Sequence, residues 1–227
     1  MITLHGFASS NYYNIVKYVL LYKSIPFEER LIYSGGEDWL AISPVGKIPA
    51  LTTEDGQHLS ETTVICDYLE ETYPDAPLYP ADPAAKAGIR QIMKVAELYL
   101  ELPSRRLIAY AFSGKPAPQK ALDDARHVTN RGLTAMKRLC AFSPYIAGAD
   151  MTLADVYVHY VNSVVNSIGS RQLDWDILAE VPGMQEWNRG MRKSEIARTI
   201  EADRKADEPD FHAYIRDFLA KNAVPGR

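Results

Sequence analysis

The hydrophobic pattern of the chain changes near residue 80. Before that point, short β-like runs alternate with segments of helical periodicity, in an order that reads as βαβ followed by ββα. From Ala85 onward, apolar residues recur at helical spacing alone. We therefore predict an α/β plus all-α chain, in which a small α/β sandwich precedes a helical domain.

The elements of the first part follow from short stretches. The strand-like runs ITLHG (2–6) and FEERLIY (27–33) flank a helical segment at 12–22. The pair Asp55-Gly56 is a hairpin signal between two further short runs. A second helix is predicted over 61–73, where apolar residues share one helical face.

A proline-rich segment poor in apolar residues, YPDAPLYPADPAAK (73–86), separates the two patterns. It is typical of an interdomain linker. The predicted division is a first domain at 1–78, a linker at 79–86 and an all-helical C-terminal domain at 87–227.

Charge and hydropathy exclude several classes of function. The formal net charge is −4 and the doublet Arg105-Arg106 is too short to track phosphates, so nucleic acid is not an expected partner. No apolar run reaches the length of about 18 residues that suggests a membrane helix, and no secretory leader is recognisable. We expect a cytoplasmic protein that does not bind membranes.

Metal binding and dithiol chemistry are not expected either. Cys66 and Cys140 show no CxxC or CxxH spacing and lie in apolar periodic surroundings, which favours core packing. The histidines also lack the spacing of metal ligands.

One helix start can be predicted in the second part. Thr152 precedes an apolar run, and Asp155 follows three residues later. This is the pattern of a capping box, with Asp in place of the usual Glu or Gln. It marks the beginning of a helix and carries no chemistry.

The stretch VGKIPAL (45–51) contains an unexpected proline. Ile48, Ala50 and Leu51 indicate the start of a strand, but Pro49 cannot donate to a sheet ladder. By base rate its peptide bond would be trans, because only about 5–6% of X-Pro bonds are cis.

The combination of VGKIPAL, the Glu61-Thr62 pair that opens ETTVICDYL, the proline-rich linker and AGADMTLAD (147–155) resembles the cytosolic glutathione transferases of the serine type. The order and spacing of these motifs cover nearly the whole chain. The resemblance implies a thioredoxin-like N-terminal domain, a C-terminal helical bundle and a homodimer. It also implies a cytoplasmic transferase active in detoxification, with glutathione as co-substrate.

The resemblance assigns roles to five glutathione-binding residues. In that family the matching Pro49 is cis, and the backbone of Ile48 pairs with the cysteinyl backbone of glutathione in the manner of an added strand. Glu61 and Thr62 would take the γ-glutamyl end, with the Thr62 hydroxyl and amide on the carboxylate and Glu61 on the ammonium. Lys47 is a candidate for the glycyl carboxylate, and a solvated charge is the alternative.

Catalysis requires a glutathione thiolate at neutral pH, although a free thiol has a pKa of about 8.5. A hydroxyl that donates to the charged sulfur contributes roughly 1.5–3 kcal/mol, which lowers the thiol pKa by about 1–2 units at 1.36 kcal/mol per unit. Alignment to Ile25-Pro26 in serine-type enzymes places the catalytic serine at Ser10, with Ser9 as the alternative. Tyr12 and Tyr13 are less favoured donors.

The electrophile pocket is predicted to involve the first loop and the first long C-terminal helix. Its candidate residues combine aromatic rings with one cation, which would suit a planar or anionic co-substrate: Tyr12, Tyr99, Arg106 and Tyr110. Tyr99 could instead be interdomain core, and Arg106 could pair with a surface acid.

The predicted function is a glutathione transferase that activates the thiol for attack on an electrophilic small molecule or a peroxide. Two alternatives stay open. One is a glutathione-fold binding or assembly protein with little turnover. The other is an enzyme like maleylacetoacetate isomerase, although that class carries Ser-Ser-Cys where this chain reads Ser9-Ser10-Asn11.

Overall fold

A four-stranded mixed sheet organises the N-terminal part of the chain. In the computed structural model, which describes residues 1–33 and 35–221, the strands are β1 (Ile2–Gly6), β2 (Phe27–Leu31), β3 (Ala50–Thr52) and β4 (His58–Ser60). Their order is β2-β1-β3-β4. β1 runs parallel to β2 and antiparallel to β3, and β3 pairs with β4 in the predicted hairpin.

Three helices accompany the sheet: α1 (Asn11–Tyr22), α2 (Glu37–Ile42) and α3 (Thr62–Thr72). α1 and α3 pack on each other, and α1 buries its apolar side chains completely at Ile15 and Val16. α2 contacts β3 and β4. The sequence did not predict α2, because Trp39 is its one buried residue and six residues leave no periodic apolar face.

From residue 83 onward the described elements are helical, as predicted. The α-helices are α4 (Pro83–Val95), α5 (Leu102–Arg105), α6 (Ile108–Ser113), α7 (Gln119–Leu139), α8 (Leu153–Ile168), α9 (Met184–Met191) and α10 (Glu195–Lys221). A π-helical turn, Ala96–Glu101, joins α4 to α5, a second one, Gly169–Leu173, follows α8, and a 3-10 helix, Ile177–Glu180, precedes α9. The predicted fold class, a thioredoxin-like domain followed by a helical region, is confirmed.

The predicted capping box at the start of α8 is present. The Asp155 carboxylate accepts the backbone N–H of Thr152 at 2.9 Å. It also accepts the N–H of Ile146 at 2.8 Å and the indole N–H of Trp187 at 2.9 Å. Since Asp155 is fully buried, these bonds compensate the carboxylate for its loss of water.

By packing, the chain divides into two compact units. Of the described residues, Met1–Asp75 and α10 form one unit, and Ala76–Ser194 form the other. α10 belongs to the first unit because it packs against α1: Asp203 pairs with Lys17. The units therefore group α10 differently from the ranges predicted from the sequence, which followed the order of the chain.

Candidate active site

The register of the sheet brings three predicted segments to one end of the first unit. His5 in β1 pairs with Ala50 in β3, and Ala50 pairs with Ser60 in β4. Neighbouring strands lie about 4.8 Å apart, so the residues that continue from these three positions are close neighbours. The segments that leave the sheet at this end carry the predicted thiol-activating and glutathione-binding residues: 7–10, 47–49 and 61–62.

The loop after β1 is held tightly against α1. Gly6 has a φ of 151°, and a Cβ placed there would lie 2.5 Å from the ring of Tyr13, so any larger residue would collide. The Ser10 N–H donates to the carbonyl of Phe7 at 3.1 Å. The side chain of Asn14 donates to the carbonyl of Ala8 at 2.8 Å. These contacts fix the backbone on which both candidate serines lie.

Ser10 is the N-cap of α1. Its backbone is extended, and its Oγ accepts the N–H of Tyr13 at 3.4 Å. An N-cap hydroxyl that accepts through a lone pair still has its own proton to donate. The first-turn amides and the positive end of the helix dipole lie beside it and favour an anion at this position.

Ser9 differs from Ser10 in its surroundings. The Ser9 Oγ is buried and has no hydrogen-bond partner among the described residues. The Ser9 N–H donates to the carboxylate of Asp207 in α10 at 2.8 Å. The sequence did not predict this contact, because its two residues are 198 positions apart.

The two tyrosines at the start of α1 also differ. Tyr13 is 2% exposed and its hydroxyl donates to the carboxylate of Glu29. Burial and this hydrogen bond raise the Tyr13 pKa well above its ordinary value. The same carboxylate accepts from the Lys17 ammonium at 2.7 Å. The Tyr13 hydroxyl is therefore engaged within the protein, whereas Tyr12 is half-buried in the first turn.

The segment before β3 has the predicted backbone geometry. The peptide bond between Ile48 and Pro49 is cis, as expected from the resemblance. Among the described residues, neither the N–H nor the C=O of Ile48 has a hydrogen-bond partner. Lys47 is exposed, and its carbonyl accepts the hydroxyl of Ser43 at 2.6 Å.

Glu61 and Thr62 form the start of α3. Glu61 is the N-cap, with a φ of 71° and a ψ of 117°. A non-glycine residue with positive φ is uncommon and costs about 1–3 kcal/mol, and such residues cluster at ligand clamps. The Glu61 side chain is exposed, while Thr62, the first helical residue, is 7% exposed. An exposed carboxylate thus stands beside the free amides of a helix N-terminus.

The remaining electrophile candidates belong to the second unit. Tyr99 is 37% exposed in the π-helical turn before α5, and its Cβ lies against Gly132 of α7. Arg106 is exposed directly after α5, and Tyr110 is half-buried in α6. The role of these residues and of Tyr12 stays a prediction.

Cysteine thiols and possible metal ligands are the other groups that could carry chemistry. Burial raises the pKa of the Cys66 thiol well above its ordinary value and that of Cys140 to about 12. No cluster of three potential metal ligands occurs within residues 1–33 and 35–221. In the same described residues, no helix is both long and apolar enough to cross a membrane.

One end of the thioredoxin-like sheet therefore carries a cis-proline loop, a hydroxyl-capped helix and a helix start with positive φ. The family model for the N-terminal domain of glutathione S-transferases matches residues 4–77. A glutathione S-transferase of Pseudomonas putida is 41% identical over 217 residues, which cover 95% of this chain and 98% of that protein. The chain belongs to the glutathione S-transferase family and is a glutathione transferase, as the sequence predicted.

Two further similarities are more distant. A probable maleylacetoacetate isomerase of Drosophila melanogaster is 32% identical over 149 residues, or 62% of this chain and 63% of that protein. A crystal structure of a glutathione transferase homologue from Sulfitobacter with bound glutathione has a TM-score of 0.68 at 24% identity and covers 89% of this chain and 97% of that one. At this sequence identity, the similarity to the Sulfitobacter protein shows a shared fold only. The isomerase alternative is not favoured over the general family.

Proposed function

We propose that the first unit binds glutathione along the end of the sheet where His5, Ala50 and Ser60 pair. The register of these three residues carries the proposal, because it makes neighbours of three segments with complementary chemistry. The backbone of Ile48, which has no hydrogen-bond partner within the described part of the chain, is available to the cysteinyl backbone. Glu61 would hold the ammonium of the γ-glutamyl end, and the hydroxyl and amide of Thr62 its carboxylate.

In this proposal Ser10 donates to the glutathione sulfur and stabilises the thiolate. Two observations support this role. Ser10 is the N-cap of α1, beside the positive end of the helix dipole, and its Oγ accepts from Tyr13, which leaves the hydroxyl proton available to donate. Ser9 is the second candidate, and its buried Oγ would have to turn to reach a ligand. The Tyr13 hydroxyl is committed to Glu29, and Lys47, exposed beside Ile48, is proposed for the glycyl carboxylate.

The thiolate would attack an electrophilic small molecule or a peroxide, and we propose a role in detoxification in the cytoplasm, which membership of the family supports. We propose Tyr12, Tyr99, Arg106 and Tyr110 for the electrophile. Residues 1–78 would act as the glutathione-binding domain, 79–86 as a linker and 87–227 as the helical domain. No resident metal is needed, because the thiolate is itself the nucleophile.

Calorimetric titration with glutathione tests the binding site. The double variant Glu61→Ala, Thr62→Ala should weaken binding at least tenfold, since it removes a charged hydrogen bond worth roughly 1.5–3 kcal/mol. The matched control is Glu71→Ala, Thr72→Ala, which changes the same residue types at the exposed other end of α3. Equal affinity of both variants and the wild-type protein would refute the assignment.

A further inference from the structure

The Asp207 carboxylate joins two loops that are distant in sequence. Its Oδ2 accepts the N–H of Ser9 at 2.8 Å, and its Oδ1 accepts the hydroxyl of Tyr33. Ser9 lies in the loop after β1, and Tyr33 lies just after β2. One side chain of α10 therefore ties together the loops that follow the two parallel strands of the sheet.

Other contacts hold α10 at the place where Asp207 makes these bonds. The ring of Phe211 stacks on Phe7 with ring centres 5.3 Å apart, and Tyr214 stacks on Tyr33 at 5.2 Å. One turn before Asp207, Asp203 accepts from the Lys17 ammonium at 2.8 Å. Because these contacts do not involve Asp207, the position of its carboxylate is fixed by the surrounding packing.

We propose that Asp207 is a positioning residue for the thiol-activating hydroxyl, an inference that rests on the function proposed above. Ser9 immediately precedes Ser10, so a bond to the Ser9 N–H restrains the peptide that sets the direction of the Ser10 side chain. A donor that is held in place before the reaction stabilises a developing charge better than one that must reorient. The Ser9 N–H already donates to Asp207, so it does not compete with the Ser10 hydroxyl as a donor to the sulfur.

The negative charge of Asp207 disfavours a nearby thiolate, whereas its hydrogen bond to Ser9 favours the thiolate by positioning the Ser10 hydroxyl. The charge of Asp207 acts on Tyr33 and Tyr13; Asp210 also acts on Tyr33, and Glu29 and Asp203, which both pair with Lys17, also act on Tyr13. A negative charge near the N-terminus of α1 disfavours a thiolate there. Asp207 can therefore favour the thiolate only by positioning the hydroxyl. A substitution that removes the charge alone should differ in effect from one that removes the hydrogen bonds as well.

Asp207→Ala removes the bonds and the charge together. Asp207→Asn removes the charge but can keep both contacts, because its amide oxygen accepts the Ser9 N–H and its NH₂ donates to the Tyr33 oxygen. The matched control is Asp210→Ala, an exposed carboxylate of the same helix whose charge also reaches Tyr33.

The experiment is an ultraviolet pH titration of the thiolate of bound glutathione, together with kcat and KM. We expect Asp207→Ala to raise the thiol pKa by about one unit and to lower kcat roughly tenfold at neutral pH, with KM for glutathione within about threefold. Asp207→Asn should recover most of this loss. Asp210→Ala should match the wild-type protein.

Two failures can be told apart. If the wild-type protein does not lower the pKa of bound glutathione, the proposed function itself fails. If the wild-type protein does so and folded Asp207→Ala keeps the same pKa, the positioning role is overturned, as it is when Asp207→Asn loses as much as Asp207→Ala. Should Asp207→Ala not fold, Asp207→Leu decides, because it also removes both hydrogen bonds but keeps a side chain of similar shape. If the thiol of bound glutathione has the wild-type pKa in that variant, the positioning role of Asp207 is overturned.

Discussion

The Oγ of Ser10 accepts the backbone N–H of Tyr13 at 3.4 Å, which leaves the proton of the Ser10 hydroxyl available to an acceptor outside the helix. If that acceptor is the glutathione sulfur, Ser10→Ala should raise the pKa of the bound thiol by about 1–2 units, from roughly 1.5–3 kcal/mol of lost stabilisation. The rate at neutral pH should fall about 10- to 150-fold, and the deficit should shrink as pH rises. Glutathione affinity should change little, as a titration and a pH-rate profile will measure.

The control for this prediction is Ser9→Ala. A rise of the thiol pKa in Ser9→Ala alone would move the catalytic hydroxyl to Ser9. Wild-type values in both variants would leave Tyr12, Tyr13 or a backbone amide as the donor. Because loss of an N-cap also costs about 1 kcal/mol of stability, thermal unfolding must show that each variant is folded at the assay temperature.

Glu61 combines a binding role with a strained backbone, and two substitutions separate them. Both Glu61→Ala and Glu61→Gly should weaken glutathione binding, because each removes the carboxylate. Glu61→Gly relieves the positive φ of 71°, a strain worth about 1–3 kcal/mol, against about 0.5–1 kcal/mol of added chain entropy. Glycine should therefore give the more stable protein by urea unfolding. A less stable glycine variant would show that the backbone at Glu61 is not strained.

The local geometry at the candidate site could be predicted from the sequence because each feature depends on neighbouring residues. The hydroxyl at Ser10 caps the helix that begins next to it, and Glu61 and Thr62 open the helix in which they were expected. The cis bond before Pro49 was predicted from the resemblance, against the base rate for X-Pro bonds, and is confirmed. Each of these features depends on a few consecutive residues and on the sheet register that they enter.

The features that the sequence did not predict depend on contacts between residues that are far apart along the chain. The bond of Ser9 to Asp207 spans 198 positions, and nothing in either local sequence indicates the other. Likewise, the capping box predicted the contact of Asp155 with Thr152 but not the indole N–H of Trp187, which arrives from another helix. α10 shows the same limit, because its helical periodicity did not predict that it packs with the first unit.

Exposed apolar side chains in the second unit support the homodimer that the family resemblance implies. Leu98 and Leu102 lie one turn apart in the second unit and are 46% and 38% exposed. Such residues are typical of the apolar centre of a two-fold interface. Sedimentation at micromolar concentration should give twice the chain mass of 25.4 kDa for the wild-type protein, and Leu98→Glu, Leu102→Glu should shift the mass toward one chain. The control Leu40→Glu changes an equally exposed leucine of α2. A wild-type mass near 25.4 kDa would contradict the dimer.

His5 should make stability depend on pH. Its side chain is 3% exposed, its Nε2 lies 2.7 Å from the Thr52 hydroxyl, and burial, followed by the charges of Arg30 and His58, lowers its pKa from 6.5 to about 4. Between these two values the unfolded chain binds a proton that the folded protein does not, so stability is full above pH 6.5 and falls as pH drops toward 4. At 1.36 kcal/mol per pKa unit the loss is up to about 3 kcal/mol.

The measurement for His5 is urea unfolding at pH 7.5 and at pH 4.5, and the control is His5→Gln. Glutamine can keep a hydrogen bond to Thr52 but cannot take up a proton in this range. The carboxylates of the chain titrate in both proteins, so their contribution cancels in the difference between them. The wild-type protein should lose more free energy of unfolding than His5→Gln between the two pH values. Equal losses would mean that His5 is no less basic in the folded protein than in the unfolded chain.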